Sequence, residues 1–322
     1  MKAAVGTPNG LEIRDLPPPR PKTSEVLVRV RAAGLNRADL GAARAAAHPG
    51  HATPGAPIGL EWAGEVVEAG AEAQHLAPGD RVMCSGSGGY AEYAVCDGGR
   101  ALPMPAGMDF AEAATLPIAL LTMHDALVTN GRLQAGDSVL IQGASSGVGL
   151  MGLQIAKARG ARLVIGSSTH AERRERLAAF GADRAIDPRD PAWVDAVLAA
   201  TEGRGVELIV DMVSGPVANP NMKAAAVRGR IVNVGRLGGN TGEFDFDLHA
   251  LRRIDYVGVT FRTRTVAEVR EIVRRMRADL WDLVTAGRLR LPIDRSFPLE
   301  EAAAAQAHMR ANAHFGKIVL TM

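Results

Sequence analysis

The stretch Val139-Leu140-Ile141-Gln142-Gly143-Ala144-Ser145-Ser146-Gly147-Val148-Gly149 runs from apolar residues into a glycine-rich turn and then into a helix-period segment. Glycines at such a turn let the backbone approach a ligand, and the first amides of the following helix face anions. This chemistry suits a dinucleotide pyrophosphate; a tight strand-to-helix turn with no ligand is the plainer reading. The next strand selects the dinucleotide, because an Asp or Glu about 20 residues past the glycines would hold a ribose 2′-hydroxyl. Here that strand ends Val164-Ile165-Gly166-Ser167-Ser168-Thr169, small and neutral, with Arg173 and Arg174 close behind. A 2′-phosphate would meet hydroxyls and guanidinium here, not a carboxylate, in charge-assisted hydrogen bonds of about 1.5–3 kcal/mol each, which makes NADPH the expected cofactor. The alternative places both arginines, Arg174 above all, on a solvated helix face.

Other reactive residue types are sparse. Cys84 and Cys96 cannot build a four-thiolate zinc lobe and show no C-x-x-C spacing, so they read as small apolar side chains in a β-rich segment. His48 and His51 have an H-x-x-H spacing that can chelate a metal, but in the Ala-, Gly- and Pro-bearing stretch 41–57 a solvated pair is the plainer reading. His124 beside Asp125 invites the role of an acid, since imidazole titrates near neutrality, and equally that of a histidine on a helix face.

Charge and composition exclude several classes. Among 322 residues, Lys+Arg 37 against Asp+Glu 35 leave a net charge of +2, which offers no broad footprint for nucleic acid or an anionic membrane. Usage of 47% hydrophobic and 22% charged residues is that of a globular protein. The opening residues Met1 to Pro8 lack the apolar core of a signal peptide, and no run approaches the ~20 apolar residues of a membrane span, so a cytoplasmic protein is expected.

The elements that must position these residues fall into two rhythms. Up to about residue 115, short alternating runs such as Glu25 to Arg31 and Gly64 to Gly70 alternate with Pro- and Gly-bearing turns, as in a compact β-rich domain. From about 136, apolar runs at 138–142, 162–166, 184–186, 207–211, 230–234 and 255–260 alternate with helix-period stretches, the mark of a doubly wound parallel sheet. A long charged helix is expected over 266–286, an Ala-rich one around 300–310, and a closing strand at Lys317 to Thr321.

The glycine turn alone also fits the short-chain dehydrogenases. That family needs a Tyr-x-x-x-Lys pair, and none of Tyr90, Tyr93 and Tyr256 has a lysine four positions on. The whole chain instead resembles a medium-chain dehydrogenase/reductase, and within that superfamily the zinc-independent NADPH:quinone oxidoreductases, including the ζ-crystallin-like enzymes. The matching stretches are Ala33 to Asp39, Gly59-Leu60-Glu61-Trp62-Ala63-Gly64, Gly79 to Val82, Gly89 to Tyr93, Ala144 to Gly149 and Gly316 to Leu320. The resemblance implies an α/β fold in which a Rossmann-type doubly wound parallel sheet, residues 119–260, is inserted into a GroES-like β-rich domain made of 1–118 and 261–322.

It also implies an activity and its residues. Zinc-dependent relatives carry Cys where Asn36 stands and His where Leu60 stands, with a third ligand near Ile118, so no catalytic zinc is expected. Hydride would pass from NADPH to an already electrophilic quinone or enone, with Asn36 and Thr122 flanking the reacting carbonyl and Asp39 supporting them or capping a helix. Cofactor contacts carry over onto Ser146, Gly147, Val148, Gly149 and Leu150 for the pyrophosphate and Arg173 for the 2′-phosphate. Val234, Gly235, Arg236, Thr260, Phe261 and Arg262 would surround the nicotinamide half, and Asn312 lies near the end. Pro188, His124 and Val234 replace aromatic residues of relatives. Two alternatives stand beside quinone reduction: reduction of enoyl thioesters or alkenals, and a structural NADPH-binding protein without catalysis. Relatives pair through a sheet edge, so a homodimer through Tyr256 to Phe261 is expected.

Overall fold

The structure is a computed structural model that describes residues 1–7, 10–42 and 55–322. His48 and His51, with most of the 41–57 stretch, lie outside the described residues. The chain forms two compact units, Met1–Ile118 with Arg264–Met322, and Ala119–Thr263.

The first unit is built on a seven-stranded sheet in which the strand Glu25–Gly34 is central. Lys317–Thr321 pairs antiparallel on one side of it and Glu61–Ala69 on the other. Gly34 therefore stands opposite both Val319 and Glu61, and the chain leaves the sheet between them toward Asn36. A Cβ on Gly34 would meet Ala114 O and come within 2.8 Å of Glu61 Oε1, so only glycine lets the strand pass this close to the carboxylate. Trp62, Tyr90, Cys84, Cys96, Val28, Ile318 and Leu320 fill the core beneath. Both cysteines are buried free thiols.

The second unit is a six-stranded parallel sheet. Its spatial order is Arg184–Ile186, Leu163–Ser167, Ser138–Gln142, Val206–Asp211, Ala225–Asn233 and Asp255–Gly258. In chain order this is 3-2-1-4-5-6, whose reversal between the first and fourth strands opens a crevice at their carboxyl ends. Gln142 and Asp211 are cross-strand partners at that point. Every residue of Ser138–Gln142 is buried, as a strand covered on both faces requires.

Several expectations shift. The fifth strand starts at Ala225, five residues before the apolar run, and the sixth ends at Gly258 rather than continuing to Phe261. The helix after Thr169 is α-helical over Ala171–Arg176 and closes as a 3-10 turn, Leu177–Phe180, on Gly181 with φ 99°. The stretch Phe110–Asn130, 21 residues, is long and apolar enough to cross a membrane by length and composition, contrary to the expectation that no run approaches a span. Its window is 72% buried within the protein, because Leu116, Leu120, Leu121, Met123 and Leu127 are core side chains.

Candidate active site

In the first unit, Asn36 follows the central strand and is 8% exposed. Its Nδ2 donates to Glu61 Oε1 at 2.9 Å, and its Oδ1 accepts from Lys317 Nζ at 3.1 Å. Lys317 Nζ also donates to the same Glu61 Oε1, and Glu61 Oε2 accepts from Ile118 N at 2.9 Å. Glu61 and Lys317 thus form a buried ion pair with the amide of Asn36 bridging it. Such a pair persists only when further hydrogen bonds satisfy both charges, as they do here. The carbonyl end of Asn36 and one of its amide hydrogens are turned onto this pair.

Asp39 opens the Asp39–Ala42 helix and is buried. Its Oδ2 accepts from Asn36 N at 2.7 Å and from the Tyr90 hydroxyl at 2.8 Å. Burial raises its carboxyl to about 7 against the lowering pull of Tyr90, Asn36 N and Lys317, with Glu61 adding to the rise. The Tyr90 phenol is pushed well up by burial and by Asp39. Asp39 therefore supports the Asn36 loop and does not reach solvent. Arg37 donates to Asn312 Oδ1 in the same unit, which places that expected cofactor residue on a side chain next to Asn36.

In the second unit, Ser146 caps the Gly147–Ala158 helix. Its Oγ accepts from Gly149 N at 3.1 Å and donates to Gly143 O at 3.0 Å. The Leu150 amide donates to Ser146 O at 2.8 Å, and its side chain is buried in the core. The Leu150 amide is thus used within the helix, whereas the first helical amides, of Gly147 and Val148, are the ones the helix itself cannot use. Beneath the turn, Gly143 N donates to Ser167 Oγ at 2.9 Å, Ser167 Oγ to Gln142 Oε1 at 2.6 Å, and Gln142 Nε2 to Asn221 Oδ1 at 2.8 Å. This buried polar chain fixes the glycine turn from below.

Ser168 follows the second strand and shares a 3.0 Å hydrogen bond with Ser145. Arg173 is half-buried on Ala171–Arg176. Arg174, read as the more solvated of the two, instead donates to Ser168 O at 2.8 Å and Asp187 Oδ2 at 3.0 Å. Arg189 also reaches this place, donating to Thr169 O and to Asp187 Oδ1 at 3.1 Å. Val234 N and Gly235 N donate to Asp211 O, and Arg236 Nη1 to Val234 O. Arg262 N donates to Thr260 Oγ1 at 3.2 Å beside the half-buried Phe261. Thr122 is half-buried in Pro117–His124, whereas His124 in the same helix is buried.

Against known proteins, a family pattern described as an alcohol dehydrogenase GroES-like domain matches residues 22–106, and one described as a zinc-binding dehydrogenase matches 147–278. A quinone oxidoreductase of Pseudomonas aeruginosa is 32% identical over 326 residues, covering 99% of this chain and 97% of the relative. The chain belongs to the medium-chain dehydrogenase/reductase superfamily. Its fold is that of the superfamily, a parallel Rossmann-type sheet with a GroES-like unit. A mycobacterial protein solved as its NADPH complex superposes with a TM-score of 0.89 at 25% identity, over 100% of both chains. A phenolphthiocerol synthesis polyketide synthase type I of Mycobacterium bovis is 32% identical over 305 residues, covering 94% of this chain and 14% of the synthase. The chain thus spans a small part of that relative's length.

One superfamily pattern is named for zinc, and the residues here do not fit that ion. Asn36, Leu60 and Ile118 supply no thiolate or imidazole, and the adjacent carboxylate, Glu61, is engaged by the Lys317 ammonium. Among the described residues, no group of three or more His, Cys, Asp or Glu gathers to hold a metal. Glu61, Tyr90 and Lys317 are the site residues that sequence reasoning missed. The available signal was a lone charge in each of two apolar runs, Glu61 before Trp62-Ala63 and Lys317 before Ile318-Val319-Leu320.

Proposed function

We propose that this protein is an NADPH-dependent reductase that delivers hydride to a quinone or a similar conjugated carbonyl. The full-length likeness to a quinone oxidoreductase supports the substrate class, and the residues at the end of the Leu163–Ser167 strand support the choice of cofactor. Ser168 and Thr169 stand where an NAD site presents a carboxylate, and the Arg174 and Arg189 guanidiniums are fastened to their carbonyls. The nearby Asp187 faces two guanidiniums, and the Arg189 hydrogen bond above all holds its carboxyl down to about 2. A net positive corner remains for a 2′-phosphate. Bound NADPH supplies the hydride; the amides of Gly147 and Val148 suit its pyrophosphate, and Asn36 is a donor suited to the substrate oxygen.

Arg173→Ala and Arg174→Ala are each expected to lower kcat/KM with NADPH about tenfold and to leave that with NADH nearly unchanged. Steady-state kinetics with both cofactors check this, and an unaltered preference in both variants contradicts the 2′-phosphate site.

A second reading, reduction of an enoyl thioester, is supported by the likeness to a polyketide synthase. NADPH oxidation with 1,4-benzoquinone, 2-alkenals and crotonyl thioesters, followed by product analysis, separates the two. Binding of NADPH with no oxidation by any of them would favour a structural role instead.

A cytoplasmic homodimer belongs to the same proposal. The Asp255–Gly258 strand lies at the edge of its sheet, and Phe246 and Leu251 on the helix before it are 77% and 73% exposed. Sedimentation equilibrium at micromolar concentration is expected to give twice the chain mass, and Phe246→Asp to shift it toward the monomer; a monomeric wild type contradicts the pairing.

A further inference from the structure

We propose that Lys317 is a positioning residue that sets the orientation and donor strength of the Asn36 side-chain amide. The proposal rests on the hydride-transfer reading above. An asparagine amide can sit in two orientations related by a half-turn, which exchange its carbonyl and its amino group. At Asn36 the neighbours decide between them. Lys317 Nζ, which can only donate, lies 3.1 Å from one end, and the Glu61 carboxylate, an acceptor, lies 2.9 Å from the other. Oδ1 must therefore face Lys317 and Nδ2 must face Glu61.

The same contacts leave one group of Asn36 lightly held. Among the described residues, the second Nδ2 hydrogen has only Gly34 O, at 3.5 Å, the outer limit of a hydrogen bond. A cation on an amide oxygen draws electron density from the nitrogen, so Lys317 makes that N–H a stronger donor toward an oxygen that gains negative charge. The Glu61 carboxylate is thus shared by the Lys317 ammonium and the amides of Asn36 and Ile118. The ammonium acts on substrate through Asn36, since Lys317 itself is buried.

The test uses the full-length protein with Lys317→Met, Asn36→Ala, the double variant of those two, and Lys317→Met combined with Glu61→Gln. The last removes both charges of the pair while keeping its shape, so a fold weakened by a lone buried carboxylate recovers in it. Lys317→Met is expected to lower kcat at least tenfold, to keep the NADPH dissociation constant within twofold, and to raise the isotope effect with NADPH deuterated at the transferred position. The charge-free pair is expected to be as slow, and Lys317→Met in an Asn36→Ala background to cost nothing further. Recovery of kcat in the charge-free pair, or multiplicative losses in the Asn36→Ala background, overturns the proposal. A second readout needs no substrate: in Lys317→Met the two Asn36 amide protons, followed by ¹⁵N-edited NMR, are expected to move toward free-amide shifts. Unchanged Asn36 resonances overturn the positioning role, whereas a wild type inactive toward every quinone and enone overturns the reductase reading alone.

Discussion

Replacing Gly149 with alanine is expected to weaken NADPH binding by tenfold or more, while Gly152→Ala, one turn on, leaves it within about threefold. A Cβ on Gly149 would come 2.6 Å from Ala144 Cα and 2.7 Å from both Ala144 O and Gly143 O. These are backbone atoms of the turn itself, so relief must move the turn. A Cβ on Gly152 would meet the Met123 sulfur at 2.9 Å and Ile141 Cδ1 at 3.2 Å, the ends of flexible side chains. Overpacking of this kind costs about 1–3 kcal/mol, and about 1.4 kcal/mol is a tenfold change in affinity. The strain at Gly149 falls on Gly143 and Ala144, beside the amides of Gly147 and Val148. Titration of NADPH binding in both variants, with thermal unfolding as a control, checks the contrast. Equal losses in the two would mean that the turn does not carry the cofactor.

Asp39→Asn is expected to gain stability relative to the wild type as the pH rises. The Asp39 carboxyl moves from 3.8 in the unfolded chain to about 7 in the folded protein, because burial opposes its charge more than Tyr90, Asn36 N and Lys317 favour it. A carboxyl raised in this way favours the folded state fully below its unfolded value, and that contribution is lost as the pH climbs through the folded value. The window runs from about pH 4 to about pH 7. Three pKa units correspond to about 4 kcal/mol in all, of which about 2 kcal/mol falls between pH 5 and pH 7.5. Asparagine keeps an acceptor for Asn36 N and for the Tyr90 hydroxyl and carries no titrating proton. Asp39 Oδ1 has no hydrogen-bond partner among the described residues, so no donor there stabilises the charged form. Denaturant unfolding of both proteins across this range should show the variant's relative stability rising by about 2 kcal/mol. A difference that stays constant with pH would show that Asp39 ionises like an exposed carboxylate.

Much of the second unit was legible in the sequence, because its signals are local. The apolar run before Gly143 gave the first strand, and the glycines gave the turn that Ser146 caps. The neutral end of the next strand, with Arg174 close by, also lies within a dozen residues of chain. Strand ends were less legible, since the fifth strand begins in Ala225-Ala226-Val227-Arg228, where pairing with Val206 rather than an apolar pattern sets the start.

The centre of the first unit was only half legible. Asn36 and Asp39 stood out by type, but what they bond to did not. Glu61 and Lys317 meet only because the strands Glu61–Ala69 and Lys317–Thr321 flank the same central strand, a fact of register that no local pattern carries. The inward turn of the Asn36 amide followed from those two charges, and so could not be read before they were placed.

The reach of that ion pair has a consequence for biosynthesis. Lys317 lies 256 residues after Glu61, with the whole second unit in between. At roughly 5–20 residues per second, on the order of 10–50 s pass on the ribosome between the two. During that interval the second unit has all its strands and can close on itself, while the first holds a central strand with one neighbour missing and a carboxylate without its counter-ion. Tyr93–Asp97 already covers residues 25–29 on that side, so the nascent chain carries an unpaired edge at residues 32–34, open to pairing with another chain, until its last strand emerges.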